Sequence, residues 1–332
     1  MKFQLISLDS KFHSVPTKHS LNYQLLALTL AVLYGSFLAS LPLDIFKDRN
    51  NYLIYAEHSA DIFERYQLAG PLVILANEPL WLLANIGLAK LFPPDLVLQT
   101  LIFIPATIVA WFILRYDHQQ FTWLLLFLLL PQVIKNHIIH LRQGFAIAVF
   151  LSGWFSENRI IRWLLLSTTP FIHSSFFFVL FLLTLVRMLL SLRLAADLHI
   201  LLVVCVAIIL GGSDYWLADL FGARQATLYT FEAELSGLGF AFWSLIFIVM
   251  LFQGRQFLRL YAFEVSTIIF FLGTYFFSPV TGRIFESTLL LVLLSGLQLI
   301  SWRYLVFIGL LVFYTLLQWL MRLDLPNFGW GL

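Results

Sequence analysis

The chain has 332 residues, of which 61% are hydrophobic and 11% charged, and its net charge is +2. A soluble domain carries roughly 25% charged residues, so this chain could not cover a water-facing surface, and lipid is the solvent in which an apolar exterior has no cost. The near-neutral charge implies no nucleic-acid partner.

Polar residues run to Ser20, and the tail 1–20 carries Lys2, Lys11 and Lys18. The first apolar segment, 21–43, is too long for the apolar core of a cleaved signal and reads as an uncleaved anchor. A polar loop is expected over 44–70. The apolar segment 71–92 follows, interrupted by Asn77, Glu78, Pro79 and Asn85. Further apolar segments cover 96–114, 121–134 and 139–155. The stretch 161–190 is apolar but broken around Pro170 and His173. Segment 198–210 contains the single cysteine, Cys205, which can form no internal disulfide and leaves the redox compartment open. A second polar loop is expected over 211–237, and 238–252, 260–277, 284–300 and 304–321 complete the series. A spanning helix needs about 20 mostly apolar residues. The chain therefore reads as one all-α transmembrane domain, 1–332, of about ten to twelve helical segments.

Lys and Arg favour the cytoplasmic side. They place the tail 1–20 inside, together with the short connections bearing Arg159 and Arg162, Arg187 and Arg193, and Arg255 and Arg259. Counting crossings from there puts 44–70, 211–237, the turn 278–283 and the C-terminus outside. Segment 71–92 then returns to the side it left, and 161–190 becomes two half-length pieces meeting near His173. Irregular backbone at membrane depth is tolerated where it lines a cavity or is buried in protein.

Ionisable residues at membrane depth are candidates for function. Asp48, Arg49, Glu78, Arg142, His173, Arg224 and Arg283 gather on the deduced outer face. Outer arginines oppose the usual bias, and an anionic ligand such as a diphosphate would reward them, because the guanidinium fork matches phosphate oxygens. Each residue also has a plainer reading. Arg142 and Arg283 could snorkel to headgroups. Glu78 and Pro79 could simply start a helix. His173 could pack at a helix break. Asp48 and Arg49 could be ordinary loop charges, and Arg224 could pair with Glu232 or Glu234. His137 and His140 lie three apart with no acidic third ligand beside them, so no metal is expected. Gly-rich phosphate loops, HExxH and CxxC are absent.

The run 136–148, with Asn136, His140, Arg142, Gln143, Ala146 and Ala148, resembles the "N…RQ..A.A" signature of the EpsG-like family, polytopic polymerases of bacterial exopolysaccharide and O-antigen grouped with the Wzy enzymes. His173, Ser174 and Ser175 resemble that family's "FH.S" element, with Ile172 standing between Phe171 and the histidine. Asp48 with Tyr52 and Tyr55 resembles its "D…Y" outer loop, Glu78-Pro79 its helix start, and Gly282-Arg283 its late arginine. The resemblance covers roughly residues 44 to 290.

It implies a GT-C-like membrane glycosyltransferase in a bacterial inner membrane, with its active site on the periplasmic face. Its substrates would be undecaprenyl-diphosphate-linked oligosaccharides, which it joins into O-antigen or exopolysaccharide without a cofactor. Membrane lipids and a chain-length regulator are the further partners to expect. Arg142 and Arg283, then Arg224, would meet the charge that develops on the leaving diphosphate. Arg49, Asn136, His140 and Gln143 join them as binding candidates. His173, then Glu78, then Asp48 are candidates for the base, and Tyr52 and Tyr55 for stacking on sugar rings. A transporter or flippase of lipid-linked sugars would need the same cationic cavity and broken helices. An O-antigen ligase-like transferase would share the donor.

Overall fold

Helix α1, Leu21–Ala39, turns a stripe of small residues inward, Ala27, Ala31 and Gly35, with Leu38 at its end. That stripe lies against α5, Pro94–Leu114. Small residues let helix backbones approach closely where lipid removes any hydrophobic drive for association. Between them come α2, Arg49–Ala69; α3, Pro71–Ala76; and α4, Pro79–Ala89. The computed structural model describes residues 20–220, 237–278 and 280–331, with the backbone alone for 214–220.

The chain continues through α6, Phe121–Leu128; α7, Pro131–Ile138; α8, Leu141–Trp154; and α9, Arg159–Thr168. After a 3₁₀ turn over Thr169–Phe171 come α10, Ser175–Ser191, and α11, Ala196–Leu220. The last group is α12, Leu238–Leu251; α13, Arg255–Leu260; α14, Ala262–Thr274; α15, Thr281–Glu286; α16, Leu289–Gly296; and α17, Trp302–Leu323. Among the described residues there is no strand, only an isolated bridge between Phe46 and Gly331.

Among the described residues, four helices are long and apolar enough to cross a membrane, Leu21–Ala39, Pro94–Leu114, Ala196–Ser213 and Trp302–Leu323, with a bent pair over His118–Ile138 as a fifth if counted as one span. Their outer faces are apolar as well. Leu21 is 70% exposed and Phe37 63% on α1, and Leu305 is 69% exposed and Phe313 64% on α17. Isolated exposed leucines are ordinary, but continuous faces of this kind fit lipid. Shorter apolar helices are Pro79–Ala89, Ser175–Ser191, Leu238–Leu251 and Ala262–Thr274, of which the last is almost wholly buried.

The breaks read at Glu78 and at Pro170–His173 are present. Four features differ from the sequence reading. First, 49–69 is helix α2, not a loop. It lacks Gly and Pro, and Tyr52, Ala56 and Ser59 recur at helical spacing on its buried face. Second, the loop expected from residue 211 does not start there, because α11 continues to Leu220. Gly211 serves close packing: a Cβ there would lie 3.0 Å from Thr274 on α14. The rest of that loop, with Arg224, falls outside the described residues.

Third, 121–134 is not one helix. α6 and α7, counted with the short turn before them, bend by 62° around Leu129–Leu130. Pro131 opens α7, which suits the first position of a helix and no interior one. The carbonyls freed at that bend still need partners. The Tyr34 hydroxyl donates to Leu128 O at 3.1 Å, and the Trp319 indole to Leu129 O at 2.9 Å. Fourth, 284–300 is divided between α15 and α16 at Ser287–Thr288, where Ser287 and Thr288 hydroxyls bond back to Arg283 O and Phe285 O.

The C-terminal turn Pro326–Gly329 folds back on the segment after α1. The Lys47 amide donates to Trp330 O at 2.8 Å and the Asn327 side chain to Ile45 O at 3.2 Å. The turn at Pro326–Gly329 therefore packs against the segment that leads into Asp48. A second apolar cluster, including Phe46, Tyr52, Trp81, Leu98, Ile138 and Trp330, packs beside that contact.

Candidate functional site

The break between α3 and α4 places a carboxylate inside the protein. Glu78 has φ +60°, a left-handed backbone that a non-glycine residue rarely adopts. Pro79 follows at the first helical position and disfavours right-handed helix for the residue before it. Strain of this kind costs about 1–3 kcal/mol and persists only where the surroundings enforce it. Glu78 is 3% exposed, and its side chain does not cap its own helix. The plain helix-start reading therefore does not account for the carboxylate.

It is held instead by three groups from elsewhere in the chain. Arg142 Nη1 donates to Oε2. His173 Nδ1 lies 2.8 Å from Oε1, and the Ser174 amide donates to the same oxygen at 3.1 Å. The Ser174 amide belongs to the start of α10, where unpaired N–H groups favour an anion. The carboxylate thus joins α4, α8 and α10. An ionised carboxylate only accepts, so the proton of a neutral His173 lies on Nδ1. Nε2 then carries the lone pair. It is buried and has no hydrogen-bond partner.

Arg142 sits in the first turn of α8, where the helix dipole disfavours a cation. The pairing with Glu78 offsets that, and the Tyr55 ring faces the guanidinium at 5.6 Å. Arg142 is not a snorkelling end residue, because its partner is buried. The neighbouring Gln143, 1% exposed, turns the other way. Its amide donates to Arg283 O at 2.7 Å and to Ser287 Oγ at 3.2 Å, and Ser175 Oγ lies 3.0 Å from Ser287 Oγ. Gln143 is thereby a clamp on α15, the helix that carries Arg283.

An open cavity of about 630 Å³ lies beside this network. Asp48, Tyr52, Tyr55, His140, Arg142, Gln143, His173 and Arg283 all line it, with Arg65 and Tyr66 from α2. Residues spread across 48 to 283 of the sequence reading thus meet in one place. Asp48 has a left-handed backbone, φ +67°, and takes a long contact of 3.5 Å from the Asn51 amide.

Two candidates stand behind the cavity, not in it. Arg49 is 1% exposed, and its Nε donates to Ile138 O at 2.8 Å, filling a carbonyl at the end of α7. It is a strut between α2 and α7 and not a loop charge. Asn136 is buried on α7, and its carbonyl presses on α8: a Cβ at Gly144 would lie 2.2 Å from Asn136 O. Arg224 lies outside the described residues. No group of three or more metal-ligating side chains assembles among the described residues.

The sequence reading passed over the pair Lys135 and Glu286, 2.7 Å apart, which ties α7 to α15 near Arg283. Its signal was available, since both residues interrupt apolar runs beside singled-out motifs. Arg65 and Tyr66 were hidden by reading 44–70 as a loop, because only helical spacing puts them on the same wall as Tyr55. In comparisons with known protein families, with curated proteins and with solved structures, nothing matches this chain.

Proposed function

We propose that the protein is a membrane glycosyltransferase that extends a polysaccharide from lipid-diphosphate-linked sugars, as the EpsG-like resemblance implies. The observation that carries this reading is the Glu78–His173 pair, with a buried, unpartnered Nε2 on a histidine that lines the same cavity as Arg142. In this reading the acceptor hydroxyl gives its proton to His173 Nε2 while its oxygen bonds to the anomeric carbon of the donor. The bond from that carbon to the diphosphate breaks, and the diphosphate leaves with the electron pair. Arg142 and Arg283 meet the charge that develops there. Glu78 holds the imidazole in one tautomer and stabilises the imidazolium, as a carboxylate does for a catalytic histidine. Asp48, not tied to His173, is the weaker candidate for the base. Tyr52, Tyr55 and Tyr66 offer faces for sugar rings.

The same reading places the protein in a bacterial inner membrane with the cavity facing the periplasm. A transporter of lipid-linked sugars needs the cations but no base, so the oriented histidine favours transfer over translocation. The test is a reconstituted assay with a defined polyprenyl-diphosphate repeat unit. A ladder of chain lengths supports the reading. Relocation of the intact unit across the bilayer with no new bond would overturn it.

A further inference from the structure

The wall that α2 contributes to the cavity has two unlike halves. The first is anchored: Arg49, Tyr52, Ala56 and Ser59 are buried, and the Tyr52 ring meets Trp81 at 5.7 Å. At His58 the backbone leaves helical geometry, with φ −120° and ψ 15°. The Ser59 hydroxyl bonds back to Tyr55 O at 2.5 Å, a contact that bends helices. Beyond that kink, no residue between Ser59 and Glu78 is buried. Ile62, Phe63 and Tyr66 rest half-buried on the second apolar cluster, and α3 has no buried residue. Gly70 joins the two helices at φ 115° and ψ 165°, a conformation almost confined to glycine. No atom lies within 4 Å of where its Cβ would be.

Residues 60–77 are thus a strip held firmly at its ends and lightly between them. Segments with few buried contacts open at low free energy. The far end of the strip is Glu78, the residue that orients His173.

Arg65 stands on this strip. It lines the cavity, is exposed, and among the described residues makes no hydrogen bond or ion pair. Arg142, by contrast, is already paired with Glu78. An anion at Arg142 shares a committed cation, whereas Arg65 can turn to an anion without leaving a buried partner behind.

We propose that residues 60–77 form a flap that folds over the open cavity, with Arg65 latching onto the anionic group of the ligand. The proposal deepens the transferase reading and rests on it, so the anion is the lipid diphosphate. Closure keeps water from competing with the acceptor hydroxyl and strengthens the charge interactions inside.

The test is hydrogen exchange by mass spectrometry on the full chain in nanodiscs. Geranylgeranyl diphosphate is the probe, and geranylgeraniol, which lacks the diphosphate, is the control. The diphosphate should slow exchange over 60–77 roughly tenfold and change 49–58 little, and the alcohol should do neither. Arg65→Ala, at an exposed position, should melt like the parent, bind the diphosphate roughly tenfold more weakly and lose the slowing even when saturated. Exchange over 60–77 that stays fast with the diphosphate bound overturns the flap. So does slowing that persists in saturated Arg65→Ala, slowing by the alcohol alone, or a parent that does not bind the diphosphate. The outcomes separate the two readings. Slowing without glycosyl transfer keeps the flap and removes the transferase, whereas a sugar ladder from a protein whose 60–77 does not respond removes the flap alone.

Discussion

Glu78 Oε1 and His173 Nδ1 lie 2.8 Å apart, although the two residues are 95 positions apart in the chain. The contact needs two helix breaks, one at Glu78-Pro79 and one at the 3₁₀ turn before His173. It leaves His173 Nε2 buried and without a hydrogen-bond partner. Glu78→Gln keeps the shape but can donate to Nδ1 and so allow the wrong tautomer. The expected outcome is a fall in kcat of roughly 10²–10⁴-fold with little change in KM. Steady-state kinetics on a lipid-linked donor measures it, and a kcat within a few-fold of the parent would remove Glu78 from the mechanism.

Arg142 has a structural duty and a binding one, and two substitutions separate them. Arg142→Ala leaves a buried carboxylate without its cation, which costs about 3–5 kcal/mol. Its thermal transition in detergent should fall clearly. Arg142→Lys retains the charge but loses the planar fork that fits phosphate oxygens. It should melt close to the parent and bind polyprenyl diphosphate more weakly. If the lysine variant binds as the parent does, Arg142 holds only Glu78.

The packing of α7 on α8 is tight enough to be read in a single methyl group. A Cβ at residue 144 would meet Asn136 O at 2.2 Å, and backbone cannot swing aside as a side chain can. Gly144→Ala should destabilise by about 1–3 kcal/mol and reduce activity, because α8 carries Arg142 and Gln143. A melting curve and a turnover number together decide it. A variant with unchanged melting and turnover would show that α8 has slack.

Much of this site is legible in the sequence, for a physical reason. Arg142, Glu78 and His173 stand out because charge and proline are costly inside apolar runs. What was not legible is their pairing, since sequence spacing says nothing of contacts between distant helices. Periodicity could have found α2: Tyr52, Ala56 and Ser59 fall on one face, yet the density of polar residues over 44–70 suggested a loop. The breaks at Pro131 and Ser287 were masked because apolar residues on both sides of each read as one uninterrupted run. Arg49 and Gln143 carry the chemistry of ligand binding in their side chains, and folding spends it on backbone carbonyls.

The C-terminus bears on the site through Trp330, which is 6% exposed against Trp319 while its carbonyl pairs with the Lys47 amide. Asp48 and Arg49 follow directly. Trp330→Ala should lower stability by about 3–5 kcal/mol and loosen the segment 45–48. Hydrogen exchange at residues 45–49 is the appropriate readout. Protection equal to the parent would show that this clasp does not hold the segment.

The central claim is that His173, oriented by Glu78, removes the proton of a sugar hydroxyl during transfer from a lipid diphosphate. The direct test compares purified parent and His173→Ala on one polyprenyl-diphosphate repeat unit, followed by gel separation of the products. The account predicts a ladder from the parent and elongation slower by roughly 10²-fold or more in the variant, with polyprenyl diphosphate still bound. Elongation at the parent rate by His173→Ala would contradict it.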